Sequence, residues 1–286
     1  MQMTRKAESN TLLTDGVTAI QKAFLARQSS LEKCLGEPLS ISGLAGPLRI
    51  FQRLHGHRHS IDDALTAWYA LQKCPDATRY LDLGTGIGTV GMIVLWSLSH
   101  QATLTCIEAH ETSFALLQAN LECNQLLARA TTIHGDLREF TVNSKFQLIT
   151  GSPPYFPCHA GQLPEDTQKA CARFELRGHV GDYARTAKRC LQDDGVFIYC
   201  FPHRQKHRGV NLVTREGFHI DSYRDVVPTL SKPPLFSVYC ASLHGAGPSV
   251  EESPLIIHGP DGQYSPEMLQ IQATRGFGPM GTNVVS

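Results

Sequence analysis

Leu81-Asp82-Leu83-Gly84-Thr85-Gly86-Ile87-Gly88 decides the fold: a short apolar run ends in an acid and then breaks into three glycines at alternate positions. Glycines let a backbone turn sharply and come close to a ligand at the edge of an open α/β sheet. Outward from this turn, apolar runs at 80–83, 104–107, 131–134, 146–150 and 196–201 are separated by helix-length segments. Such alternation predicts a parallel sheet with crossover helices. Beyond residue 201 a polar helix is expected at 204–215, then strands at 218–226 and 235–243 forming an antiparallel hairpin, and a further strand-like run at 254–258. The expectation is a mostly parallel seven-stranded sheet closed by that hairpin.

Gly86, Gly88 and Gly91 also satisfy the G-x-G-x-x-G pattern of dinucleotide sites. Electrostatics separates the two readings, because Asp82 puts a carboxylate where a pyrophosphate would be repelled. S-adenosylmethionine (SAM) has no phosphate, and the positive charge of its sulfonium and amino group suits a nearby carboxylate. Glu108 ends the second expected strand, where it can accept from ribose hydroxyls, and Asp136 follows the third, where it can accept from an adenine amino group. Any one of these acids taken alone is as readily a helix cap or loop acid. Three at successive strand ends make a cofactor rim, to which Gly84, Thr85, Gly86 and Leu137 belong by position.

Directly after the fourth expected strand stands Ser152-Pro153-Pro154-Tyr155, followed by Phe156. It resembles the (Asn/Asp/Ser)-Pro-Pro-(Tyr/Phe) motif of amino-group methyltransferases. An adenine or amide nitrogen is a poor nucleophile because its lone pair is delocalised. The resemblance implies that the Ser152 oxygen and the Pro153 carbonyl accept the two amino hydrogens and aim the lone pair at the methyl group. Both prolines fix φ and so limit the entropy lost in holding those acceptors. Tyr155 would stack on the target ring and Phe156 would add apolar wall.

Four segments together resemble the bacterial tRNA adenine-N6 methyltransferases that modify the adenine beside the anticodon of a valine tRNA. They are 51–62 (FQRLHGHRHSID), the glycine loop, 152–157 with 172–175 (SPPYFP and ARFE), and 254–267 (PLIIHGPDGQYSPE). The resemblance implies a Rossmann-like class I methyltransferase fold over about 47–270. It also implies that His57 and Arg58 lie over the cofactor cleft and that Arg173 sits in a mobile loop near the substrate. The family usually has Asn where this chain has Ser152, and Ser there is more often associated with cytosine-N4 enzymes. Adenine and cytosine both stay open as targets.

Composition bounds the rest. A chain of 286 residues, 42% of them hydrophobic, supports one α/β core with appendages. Residues 1–46, with an amphipathic stretch at 17–35, are expected to form a helical N-terminal appendage, and 271–286 a flexible tail. Twenty-six basic residues balance 26 acidic ones, so RNA contact requires a local patch rather than a whole-molecule field. Arg204, Lys206 and Arg208 after the fifth strand supply one, with Arg49, Arg53 and Arg58 extending it; a solvated helix face is the plainer reading of such a charge run. Nine scattered cysteines without a C-x-x-C pair argue against zinc and disulfides and for a reducing, cytoplasmic setting. No histidine cluster has the partners of a metal site, and no apolar run is long enough to span a bilayer. Two other functions fit the same motifs: a protein glutamine-N5 methyltransferase, and a non-catalytic SAM-fold protein that binds RNA or a partner.

Overall fold

The computed structural model describes the backbone of residues 2–142 and 144–275 and the side chains of 19–142 and 144–274. Helix α1 (Gln2–Leu35) leads into a hairpin of β1 (Leu39–Gly43) and β2 (Arg49–Arg53). The core follows as α2 (Ile61–Lys73), β3 (Arg79–Leu83), α3 (Thr89–Ser97), β4 (Thr103–Glu108), α4 (Glu111–Cys123), β5 (Ala130–His134), β6 (Phe146–Gly151), α5 (Thr167–Arg173), α6 (Val180–Cys190) and β7 (Leu191–Pro202). The chain then forms α7 (Lys206–Arg215), β8 (His219–Val227), β9 (Phe236–Ser242), β10 (Val250–Ile256) and α8 (Pro266–Arg275).

The main sheet has eight strands in the order β10-β8-β9-β7-β6-β3-β4-β5. Strands β3 to β7 are mutually parallel and β9 runs antiparallel to both β7 and β8. The expected count of seven left the strand-like run at 254–258 outside the sheet; it overlaps β10, which pairs in parallel with β8 at the sheet edge. Its sequence, VEESPLI, is exposed along most of its length, and only Leu255 is fully buried. An edge strand that covers little core leaves a weak apolar signal.

Tyr80, Leu81 and Leu83 of β3 are buried, as strands covered on both faces require. One face packs against α2, in which Ala64 to Leu71 are all buried, and α3; the other packs against α6 through Tyr183, Ala184 and Ala187. After β3 and β4 the sheet grows toward β5, and after β6 it grows the other way toward β7. The reversal between β3 and β6 is a topological switch point, which opens a crevice at the strands' carboxyl ends. That crevice holds the site.

The N-terminal segment is tied to this core. Ile20, Phe24 and Leu31 of α1 are buried, and Phe24 meets Phe51 of β2 with ring centroids 4.5 Å apart. The free edge of β2 is paired by two asparagines of α4 in place of a strand. Asn120 Oδ1 accepts from Phe51 N at 2.7 Å and Asn124 Oδ1 from Arg49 N at 3.0 Å, while Asn124 Nδ2 donates to the Arg49 carbonyl at 2.7 Å. Four residues of helix rise about 6 Å and two residues of strand about 6.6 Å, so the two registers match. Asn120 Nδ2 also donates to the Ile87 carbonyl at 2.9 Å and thereby connects the hairpin to the glycine loop.

The expected boundary at 46/47 falls in the turn between β1 and β2, and α8 runs through the one at 270 with Met268 and Ile271 buried. Of the expected tail, 276–286 lie outside the described residues.

Candidate active site

The glycine loop leaves β3 with Gly84 at φ 59°, Gly86 at φ 60° and Gly88 at φ 93°. A side chain at Gly84 would run into the Tyr183 ring of α6, whereas one at Gly86 would meet no atom within 4 Å. Left-handed backbone and close approach therefore explain Gly84, and an open cleft beside the turn accompanies Gly86.

Asp82, 2% exposed, sits in register with Thr150 of β6 and Cys106 of β4. Its carboxylate accepts from the Thr150 and Thr85 hydroxyls, each at 2.5 Å. Because Thr150 spends its only proton on that bond, the Tyr80 hydroxyl, 2.5 Å from Thr150, must donate to it. Burial pushes Asp82 up to about 6 in spite of these donors. At the end of β4, Glu108 accepts from Gly86 N at 2.8 Å and His110 N at 2.6 Å, and burial raises its carboxyl as well. Asp136 holds Arg138 at 2.5–3.1 Å and caps its amide at 2.9 Å, and these bonds keep its carboxyl low.

These acids line one cleft together with Gly84, Thr85, Gly86, Leu137, His57, Ser152 and Pro154. Asp63, His59, His110, Gln168, Arg177 and Tyr183 line it too, and the sequence reading singled out none of them. For Asp63 a signal existed: Ser60-Ile61-Asp62-Asp63 opens α2, and the Ser60 amide donates to the Asp63 carboxylate at 3.1 Å in a helix-capping arrangement. Gln168 had no such signal. It gathers contacts from distant segments, accepting from His57 N and Arg53 Nη1 at 3.1 Å and donating to Ser113 at 3.0 Å.

Ser152 and Tyr155, the two ends of the tetrapeptide, each meet one of two consecutive aspartates. The Ser152 hydroxyl donates to Asp63 at 3.5 Å, and the Tyr155 hydroxyl to Asp62 at 2.6 Å. Burial and the Asp62 charge push Asp63 well above the usual carboxylate range. Cys200 of β7 lies 3.4 Å from the Ser152 oxygen and 3.3 Å from the Tyr155 oxygen. Backbone bonds fix the segment further: Tyr155 N and Phe156 N donate to the Arg173 carbonyl, and Gln205 donates to the Tyr155 carbonyl at 2.8 Å.

Other expected positions fall elsewhere. Pro153, Tyr155 and Phe156 are not among the residues lining the cleft. Tyr155 is half-buried, its ring edge-on to Phe201 at 6.1 Å; Phe156 is 36% exposed with the Arg173 guanidinium 5.9 Å over its ring. Arg58 does not reach the cleft, since its guanidinium donates to Ser40 of β1 at 2.9 Å and to the Arg53 carbonyl. Arg173 ends α5 rather than lying in an irregular loop. In the expected basic wall, Arg208 pairs with Glu175 at 2.5 Å, and Lys206 lies 3.6 Å from Asp225 and 3.7 Å over the Tyr223 ring. Arg53 is paired to Glu37 and to Asp166. Arg204 is exposed, as are Arg173 and Arg177.

An acid-rimmed glycine turn at the switch point of such a sheet is the arrangement of class I, SAM-dependent methyltransferases. Residues 61–206 match the model of the family described as "Methyltransferase small domain", and the chain belongs to that family. It is similar to tRNA1(Val) (adenine(37)-N6)-methyltransferases of Pasteurella multocida, 26% identical over 207 residues (72% of this chain, 83% of that protein), and of Vibrio campbellii, 25% identical over 213 residues (74% and 84%). Among solved structures, a predicted O-methyltransferase from Agrobacterium tumefaciens superimposes with TM-score 0.60 at 18% identity, over 76% of this chain and 97% of that one. The tRNA m1G37 methyltransferase of M. jannaschii does so with TM-score 0.53 at 16% identity, over 73% and 58%. Both show a shared fold.

The cofactor is SAM, and the cleft suits it. Its lining carries Asp82, Glu108 and Asp136 against the single guanidinium of Arg177, a charge balance that welcomes a cation and repels a pyrophosphate. A pH dependence follows. Asp82 titrates at about 6, so it is charged above that value and takes up a proton as pH falls through it. Cation affinity should therefore be greatest above about pH 7 and fall by about tenfold at about pH 5. His57 and His59, held neutral by burial, add repulsion when they protonate, which works in the same direction. Titration of SAM binding by calorimetry from pH 5 to 8 measures this, and Asp82→Asn should flatten the curve.

Proposed function

We propose that this enzyme transfers the SAM methyl group to an exocyclic amino nitrogen of an RNA base, with adenine N6 in tRNA as the leading target. The observation that carries the reading is the placement of Ser152 and Pro154 on the wall of the same cleft as Asp82 and Glu108, directly after β6 at the switch point. The names of the relatives favour tRNA and adenine; Ser152 itself favours cytosine N4 as the second reading.

Bound SAM supplies an electrophilic methyl group on a sulfonium. Glu108 accepts from the ribose hydroxyls with the lone pairs left free by Gly86 and His110, and Asp136 lies within the same rim for the adenine end. Ser152 Oγ and the Pro153 carbonyl take the two amino hydrogens, which pyramidalises the nitrogen and points its lone pair into the cleft. Tyr155 and Phe156 offer ring surface to the extruded base at the rim. The ammonium-like product loses its proton readily, so no dedicated base is needed. Exposed Arg204, Arg173 and Arg177 meet phosphates, while Lys206 and Arg208 brace the segment behind them through their acidic partners.

The reading is tested by offering labelled SAM to total RNA and, separately, to total protein. Label is expected in the tRNA fraction. Label confined to protein would refute the RNA assignment and point to an amide substrate at the same tetrapeptide.

A further inference from the structure

Serine at the first tetrapeptide position poses a chemical problem. A hydroxyl both donates and accepts, and its rotation decides which it presents. If the Ser152 proton turns toward an incoming NH2 group, two donors face one another and the amino group is not held. Something must fix that proton on the far side.

Asp63 stands where it is needed. Its Oδ1 accepts from the Ser152 hydroxyl at 3.5 Å, and its Oδ2 is held by the Ser60 amide at 3.1 Å, which ties the carboxylate to the first turn of α2. The other near polar neighbour of Ser152 Oγ, the Cys200 thiol at 3.4 Å, is a weak acceptor and does not compete with a carboxylate for the proton. The adjacent Asp62 takes the Tyr155 hydroxyl, so the start of α2 grips both ends of the tetrapeptide. Both Asp63 and Ser152 line the cleft.

We propose that Asp63, in its ionised form, is a positioning residue that binds the Ser152 hydroxyl proton and so turns the oxygen lone pairs toward the target amino group, making serine act as an obligate acceptor. The inference rests on the reading of an amino nitrogen as the target and holds equally for adenine N6, cytosine N4 or an amide.

Asp63→Asn is the informative change because it keeps shape and packing. A single amide oxygen is left to serve the Ser60 N–H, so the NH2 faces Ser152 and reverses its hydroxyl. In single-turnover transfer from labelled SAM to unmodified tRNA transcripts, Asp63→Asn should slow methylation by about tenfold or more. SAM affinity, which reports that the cleft is folded, should stay within about threefold. In a Ser152→Ala background there is no hydroxyl to orient, and the same Asp63→Asn change should cost less than about threefold further.

An equal loss in both backgrounds would mean that Asp63 acts through structure or charge alone and would overturn the proposal, as would full activity of Asp63→Asn with Ser152 in place. Both outcomes leave the amino-nitrogen reading intact if the wild-type product carries its label there. Wild-type label on a ring atom instead overturns that reading, and this inference with it.

Discussion

Replacing Glu108 with alanine is expected to weaken SAM binding by about a hundredfold, since two charge-assisted bonds to ribose hydroxyls are worth about 3 kcal/mol or more together. The carboxylate has a second task, because it clamps Gly86 N and His110 N, the turn after β3 and the start of α4. Glu108→Gln separates the two. The amide keeps one acceptor oxygen, so it should lose less affinity than alanine while leaving the fold intact. Calorimetric titration of SAM into both variants checks this, and unchanged affinity in Glu108→Ala would mean that the ribose is held elsewhere.

Replacing Tyr155 with alanine should lower the rate of methyl transfer by about 30- to 100-fold, the stacking of a base on an aromatic ring being worth about 1–3 kcal/mol. SAM affinity should be nearly unchanged, because Tyr155 is not among the residues lining the cofactor cleft. Tyr155→Phe distinguishes ring from hydroxyl: it keeps the stacking surface but gives up the 2.6 Å bond to Asp62. Near wild-type turnover in Tyr155→Phe supports stacking. Equal losses of turnover and SAM affinity in Tyr155→Ala would instead assign the ring a structural role at the start of α2.

Much of the site was legible because it is built where regular elements end. A strand has period two and stops at a turn, so Asp82, Glu108 and Asp136 could be placed at strand ends from the pattern alone, and all three line one cleft. The tetrapeptide was legible for the same reason, since β6 ends at Gly151, immediately before Ser152. What could not be read is what a side chain meets across the fold. Arg58 looked available for the cofactor, yet the hairpin that captures it depends on β1 pairing with β2. Lys206 and Arg208 looked like a phosphate patch, but their partners Asp225 and Glu175 come from β8 and from the turn after α5. Charge density is a property of the sequence, and charge neutralisation a property of the tertiary structure. β10 was read only at its apolar end, in the run at 254–258, because the rest of this edge strand is largely exposed and is held by backbone bonds to β8.

The central claim is that methyl transfer is directed to an exocyclic amino nitrogen by the segment that begins at Ser152. The most direct test is nucleoside mass analysis of tRNA methylated with label from SAM. The account predicts N6-methyladenosine, with N4-methylcytidine as the amino-nitrogen product if serine at position 152 sets the base. A ring-methylated nucleoside such as 1-methyladenosine or 5-methylcytidine would contradict it, because no acceptor pair for NH2 hydrogens would then be needed.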